Sequence, residues 1–559
     1  MVSRNDPVEW NVGRYIVARL EQLGVRHVFG VPGDYSLGFL DQIVASSIDF
    51  VGTCNELNAG YAGDAYARMN GLGAVAVTYA VGGFSVLNAV AGAYAERVPL
   101  VVLCGGPSRS DRDSGRQRHH TLGDYGIQLE IFSSVTEMAI ALESPRTAPS
   151  QIDSALKTCL QSRRPIFIEI PVDLVEEACA EPSDLIREDK PTSASEALME
   201  AVDEASLLLA SAKRPIILGG VEVHRFGLRE AFENLVHHSG YPVATALLGK
   251  SLIDEMDPQF IGLYSGALSE QYVREMVEDA DCVLNLGAFM SDINLGVYTA
   301  NIATENLIHA TSDQVAIKHH HFDEVFLGDF IEALIARLPR AQQMDRRIRP
   351  ANTSLSKPFE IQSDAKLTIE RFYSRVNHIL DGIHVVLADA GDSFMCAGDL
   401  LTHQETAFIS QAFYCSIGFT LPGALGVGLA APERRPVVFI GDGAFQMVAQ
   451  ELSTLLRKRL NPVIFLMNNR GYTVERVIHD GPYNDIQNWR YHRLVDVFGE
   501  GFGWGVEVRT EGELEAALKR AGEEKQQLAL IEVHLDPMDC SPALRRLGAE
   551  LAKSNALSK

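Results

Sequence analysis

Short apolar runs punctuate this chain, and they are hydrophobic at consecutive positions rather than at alternate ones: AVAVTYA, PLVVLCGG, RPIFIEI, RPIILGG, CVLNLG, HVVLADAG, RPVVFIGDG and PVIFLMNN. A strand with one wet face alternates apolar and polar residues, whereas a strand that is apolar throughout is buried on both faces. Each run ends in glycine or a polar residue, and helical patterns separate the runs. The pattern predicts parallel strands sandwiched between helices. At 559 residues the chain is too long for one core. Two polar stretches containing Pro and Ser, near 180–197 and near 340–366, read as linkers. The expectation is an α/β protein of three doubly wound domains with mainly parallel sheets, spanning 1–182, 195–342 and 362–559.

The charge balance narrows the function by exclusion. With 49 basic against 73 acidic residues, the net charge is −24. That argues against a general nucleic-acid surface, because phosphate affinity comes mainly from Lys and Arg. No stretch is long and apolar enough for a bilayer span, and MVSRNDPVEW lacks the apolar core of a secretory signal. Eight cysteines without a CxxC pair read as reduced structural thiols in a cytoplasmic protein. His319 to His321, in KHHHF, read as a solvated turn rather than a metal site.

The stretch IGDGAF, residues 440–445, puts a carboxylate at a strand end. Phe445 to Leu460 has helical composition, with Met447, Leu452, Leu455 and Leu456 apolar, and Asn461-Pro462 stops it. Val463 to Met467 reads as the next buried strand, which makes a βαβ unit with parallel strands. Asp442 and Asn469 would then share the carboxyl edge of one sheet, where open α/β sheets bind ligands. Two oxygen-bearing side chains near a free backbone carbonyl suit a hard cation that also takes phosphate oxygens. Gly443 and Ala444, at a helix start, offer backbone N–H groups to the same phosphates. A lone GDG reads more simply as a helix cap; the Asn-Asn at the neighbouring strand end, followed by Gly471, favours the cation.

GDG followed by NN at this spacing resembles the motif of thiamine-diphosphate enzymes. The resemblance extends along nearly the whole chain and implies a pyrimidine, middle and diphosphate domain order. It implies that Asp442, Asn469 and the Gly471 carbonyl bind magnesium. It also implies that Glu56, in TCNELNAGYAGDAYAR, activates the cofactor; on the residues alone Glu56 reads more simply as a carboxylate at a helix start. Asp34 in FGVPGDYSL, the pair His119 and His120 in RHHTLGD, and Glu475 after the NN motif resemble the catalytic set of the 2-oxo-acid decarboxylase branch. Such a set would protonate the carbon left by loss of carbon dioxide and deprotonate the hydroxyl as the aldehyde departs. By the same resemblance, Ile417 wedges under the bent cofactor, a carbonyl near Cys415 receives its amine, and Asp392 lies near it.

The resemblance therefore implies non-oxidative decarboxylation of a 2-oxo acid with thiamine diphosphate and Mg2+. Where some pyruvate-specialised relatives carry large aromatic residues, this chain has Ile293 and Phe394, with Val474 and Ile478 on the same substrate pocket. Less aromatic bulk admits longer substrates, so the reading leans to aromatic or branched 2-oxo acids. A strict pyruvate decarboxylase and an acetolactate-synthase-like carboligase are the alternatives, and a non-catalytic scaffold is a third. The middle domain lacks GxGxxG and is expected to be structural. Family sites are shared between subunits, which implies a homodimer at minimum and a homotetramer by preference, with no nucleic-acid or membrane partner.

Overall fold

The computed structural model describes residues 10–186, 191–341, 358–403 and 406–557, with side chains to 551. The N-terminal stretch read for a secretory signal and most of the linker near 340–366 lie outside them. Three sheets are present. The first comprises β1 (His27–Gly30), β2 (Asp49–Gly52), β3 (Gly73–Thr78), β4 (Leu100–Gly106), β5 (Met138–Ala141) and β6 (Ile166–Pro171), in the order β2-β1-β3-β4-β6-β5, with every pairing parallel. The second comprises β7 (Pro215–Gly219), β8 (Val243–Ala246), β9 (Phe260–Tyr264), β10 (Cys282–Leu286), β11 (Leu307–Ala310), β12 (Gln314–Ile317) and β13 (His320–Asp323), ordered β13-β12-β11-β10-β7-β8-β9. Its strands pair parallel except for the antiparallel β11-β12-β13 edge. The third comprises β14 (His384–Ala388), β15 (Ala407–Ile409), β16 (Arg435–Gly441), β17 (Val463–Asn468), β18 (Trp504–Val508) and β19 (Ala529–His534), ordered β15-β14-β16-β17-β19-β18 and wholly parallel.

The consecutive apolar runs are these strands. β3, β4, β6 and β17 are buried at every position. The His-rich stretch differs from the expected turn: His319 is in the turn, but His320 and His321 are exposed on edge strand β13, and His320 Nδ1 lies 2.9 Å from Glu204. All eight cysteines are free thiols, and no helix among the described residues is long and apolar enough to cross a membrane.

The chain packs into two compact units. One holds the described residues of 1–190 with Leu421–Pro432 and Val448–Lys458; the other holds those of 191–420, Glu433–Met447 and 459–559. The continuous helix expected over 445–460 is not formed. Asp442–Gln446 and Leu452–Arg457 are α-helical, with a 3₁₀ turn, Ala449–Glu451, between them. Val448, at φ −138° and ψ 9°, breaks the helix. The break turns Glu451 inward, where its carboxylate accepts from Cys54 N at 3.1 Å and Asn58 Nδ2 at 2.7 Å. A buried polar tether of that kind outweighs the helical propensity of the segment.

Two points in this topology position the site. In the first sheet the strand order reverses between β1 and β3; in the third it reverses between β14 and β16. Ligands of open α/β sheets bind beyond the carboxyl ends of strands at such points.

Candidate active site

Asp442 directly follows β16 and Asn469 directly follows β17, and those strands pair in parallel register. Asp442 is fully buried. Its Oδ1 accepts from Gly443 N at 2.8 Å and its Oδ2 from Arg470 N at 2.7 Å. Burial nevertheless pushes its carboxyl up to about 6, with the N–H groups opposing. The Asn469 amide lies between Asp442 Oδ1 at 3.3 Å, the Gly471 carbonyl at 2.8 Å and Thr473 Oγ1 at 2.8 Å; its NH2 donates to the first two and its oxygen accepts from the threonine hydroxyl. Turning the amide over would bring its oxygen beside the Asp442 carboxylate and the Gly471 carbonyl, a set of oxygens suited to a cation. The residues present thus fit a hard divalent ion.

The local backbone is built for this convergence. Gly471 has φ 142°, and a Cβ there would meet the Asn484 carbonyl at 2.0 Å. At Gly443 a Cβ would strike the Tyr472 ring at 2.4 Å. Ala444, next in the helix, is buried. Arg476 clamps the turn: it donates to the carbonyls of Asn469 at 3.1 Å and Arg470 at 2.7 Å, and to Asp485 at 2.7 Å. Sequence reading missed Arg476, although its place one residue after Glu475 was the available signal. Glu475 itself is exposed, in the first turn of helix Thr473–Ile478.

Beyond β14, the buried Asp389 accepts from Gly418 N at 2.9 Å, Thr420 N at 3.0 Å and Thr420 Oγ1 at 2.7 Å. It too was missed. It pins the loop in which Cys415, at φ 57°, and Gly418, at φ 90°, throw Ile417 outward. Ile417, next to the pinned Gly418, is 36% exposed. The Asp392 carboxylate accepts from both Ser541 N and Ser541 Oγ, just before the C-terminal helix Pro542–Leu557.

The four residues grouped as a substrate pocket are placed as follows. Phe394 is 4% exposed in the core, with its ring 6.3 Å from that of Phe408. Ile293 packs against the same core. Val474 packs with Leu268, Cys540 and Leu544, and Ile478 is half-buried on the next turn. A cavity of about 470 Å³ in this unit is lined by Leu263, Ser265, Asn377, Met395 and Arg546 among others, and by none of the four.

In the first unit, Asp34 follows β1, and its Oδ2 lies 2.7 Å from His119 Nε2. The His119 ring stacks on Tyr35 at 4.9 Å and meets His120 edge-on at 4.7 Å. Ligating atoms of Asp34, His119 and His120 all lie within 4.8 Å of one another. Glu56 opens helix Glu56–Asn70 behind the cap Asn55, whose side chain accepts from Asn58 N. It is half-buried, with Oε1 against Gly82.

Three family models match the chain in order: the N-terminal TPP-binding domain of thiamine pyrophosphate enzymes over residues 10–129, their central domain over 202–338, and their C-terminal TPP-binding domain over 389–533. Pyruvate decarboxylase 1 of Pisum sativum is 36% identical, covering 99% of this chain and 95% of its own. Pyruvate decarboxylase 4 of Arabidopsis thaliana is 37% identical, covering 98% and 92%. A probable pyruvate decarboxylase of Schizosaccharomyces pombe is 35% identical, covering 97% and 96%. The strand-end carboxylates, the ordered domains and relatives matched along their full length agree, and the chain belongs to the thiamine-diphosphate-dependent 2-oxo-acid decarboxylases, carboxy-lyases closely related to the pyruvate decarboxylases.

Proposed function

We propose that this enzyme decarboxylates pyruvate to acetaldehyde and carbon dioxide with thiamine diphosphate held through Mg2+. The observation that carries the cofactor reading is the convergence of the Asp442 carboxylate, the Asn469 amide and the Gly471 carbonyl at the ends of two adjacent parallel strands. These residues would hold the ion, and Gly443 and Ala444 would present N–H groups to the diphosphate. Ile417 would support the cofactor from its pinned loop, beside the Cys415 carbonyl. The bound cofactor supplies the electron sink for loss of carbon dioxide. Glu56 holds the proton that activation requires. Asp34, His119, His120 and Glu475 move protons at the substrate carbon and hydroxyl, with Asp34 orienting the His119 ring.

Pyruvate replaces the aromatic and branched substrates expected from side-chain size. The named relatives are pyruvate decarboxylases. Phe394 is spent on the core, and a Cβ at Gly391 would already lie 3.5 Å from Val474 Cγ2, so smaller residues here are matched by closer packing. The test is decarboxylation across a panel of 2-oxo acids with Mg2+ and thiamine diphosphate. The highest kcat/KM is expected for pyruvate; a higher value for phenylpyruvate overturns the assignment.

A homodimer at minimum, and a homotetramer by family pattern, completes the site. Val81 and Leu122, 52% and 64% exposed, flank the first-unit residues; Met447, 54% exposed, flanks Asp442. Apolar groups in such places favour cover by another copy. Sedimentation with and without cofactor checks this, and a monomer fully active at all concentrations sinks it.

A further inference from the structure

A strained backbone conformation near the first-unit residues occurs at Ala80, which follows β3 at the switch point and caps helix Val81–Ala95. It sits at φ 54° and ψ −74°. That lies outside the left-handed helical region and close to a tight, rarely occupied three-residue turn. Non-glycine residues persist in such conformations only where the surroundings over-determine them. Here the surroundings are specific. Ala80 N donates to Gln128 Oε1 at 2.6 Å, and the Ala80 carbonyl accepts from Phe84 N at 2.6 Å. Gln128 is 1% exposed, and its Nε2 donates to Glu169 Oε2 at 2.9 Å and approaches Cys104 Sγ at 3.4 Å. Glu169 is held in turn by Arg112. A Cβ at Gly83 would meet Gln128 Oε1 at 2.3 Å, so the turn closes directly on the amide.

The strained turn touches both halves of the first-unit chemistry. A Cβ at Gly82 would lie 3.4 Å from Glu56 Oε1, so the turn backs the carboxyl. Tyr79 and Ala80 cluster with Tyr35, the ring on which His119 stacks.

We propose that Gln128 is a positioning residue that locks the Ala80–Gly82 turn in its strained form, so that Gly82 backs Glu56 and Tyr79 and Ala80 back Tyr35 beneath His119. This rests on the reading of Glu56 as the carboxyl that activates the cofactor. Without Gln128 the Ala80 N–H is buried and unpaired, and the turn relaxes toward negative φ, carrying Gly82 away from Glu56.

Gln128→Leu tests it by removing both hydrogen bonds at similar volume. The kcat should fall by about 10–100-fold, as for loss of other supporting partners, with KM little changed. Proton exchange at the bound cofactor's thiazolium carbon, read by NMR after acid quench, should slow by a similar factor. In the cofactor-free protein, amide exchange over Val81–Phe84 should quicken while that of β14 and β16 stays as it was. Adding Ala80→Gly to Gln128→Leu should recover much of the loss, because glycine takes positive φ without strain. A fall in kcat with unchanged exchange at Val81–Phe84, or no recovery on adding Ala80→Gly, overturns the lock. Quickened exchange with unaltered kcat shows that the turn positions nothing, and overturns it equally. If Gln128→Leu fails to fold, Gln128→Asn, one methylene short, should show the same pattern at smaller amplitude. Full turnover in Glu56→Gln would instead sink the functional reading, independently of the turn's exchange behaviour.

Discussion

At the edge of the third sheet, Asp389 and Asp442 are fully buried and met by backbone N–H groups, whereas at the edge of the first sheet Asp34 and His119 have side chains 53% and 56% exposed and hold each other. Both edges are switch points of parallel sheets. They differ in what surrounds the carboxylates. Burial at the third sheet is so costly to the charged form that Asp389 and Asp442 are both pushed up to about 6, and the donor groups around them offset only part of it. That arrangement gives a rigid frame, which suits anchoring a charged group. On the proposed function, Asp34 and His119 are the groups that would exchange protons, and they are left reachable on loops beside Tyr35. The difference would then separate holding from reacting.

The comparison breaks most visibly at Asp442. Asp442→Ala should abolish Mg2+-dependent cofactor binding by calorimetry, beyond the roughly 10–100-fold that loss of an outer metal partner costs. Retained affinity would show that the buried edge is not the anchor. Next in size, Asp34→Asn and Glu475→Gln should each cut kcat by about 10²–10⁴-fold, the range of general acid–base contributions, with the cofactor Kd unchanged in titrations. Weakened cofactor binding in either variant would blur the division.

A smaller effect sharpens the structural side. Asp389→Ala leaves the Gly418 and Thr420 donors without their buried acceptor, and should cost about 1–3 kcal/mol in denaturant unfolding. The smallest concerns pH. The carboxyl of Asp389 is raised from 3.8 to about 6, so the folded protein binds its proton more readily than the unfolded chain does. The resulting stabilisation is full below 3.8 and is lost as pH rises through about 6. Asp389→Asn cannot titrate, so its unfolding free energy should vary less with pH across that window than that of the wild type.

What could be read beforehand depended on how local the physics was. β16 and β17, and the strand ends carrying Asp442 and Asn469, were legible because burial on both faces writes itself into consecutive apolar residues. The break at Val448 was not, because the segment has helical composition and Glu451 turns inward only to meet Cys54 and Asn58, far away in sequence. Gln128 was invisible for the same reason: nothing near it in the chain announces that its amide holds Ala80. The burial of Phe394 was not legible either, because side-chain size alone does not say which neighbours a ring meets. The antiparallel β12-β13 edge went unread because its strands are short and its last one is exposed.

The threading of Val448–Lys458 into the first unit bears on how the chain is made. Synthesis runs from the amino end, so strands β1 to β6 leave the ribosome long before the segment that supplies Glu451. Until residue 458 has emerged, Cys54 N and Asn58 lack their acceptor and the earliest unit waits incomplete. A nascent chain of this enzyme therefore completes the packing at the place where Glu56 begins its helix only late in its translation.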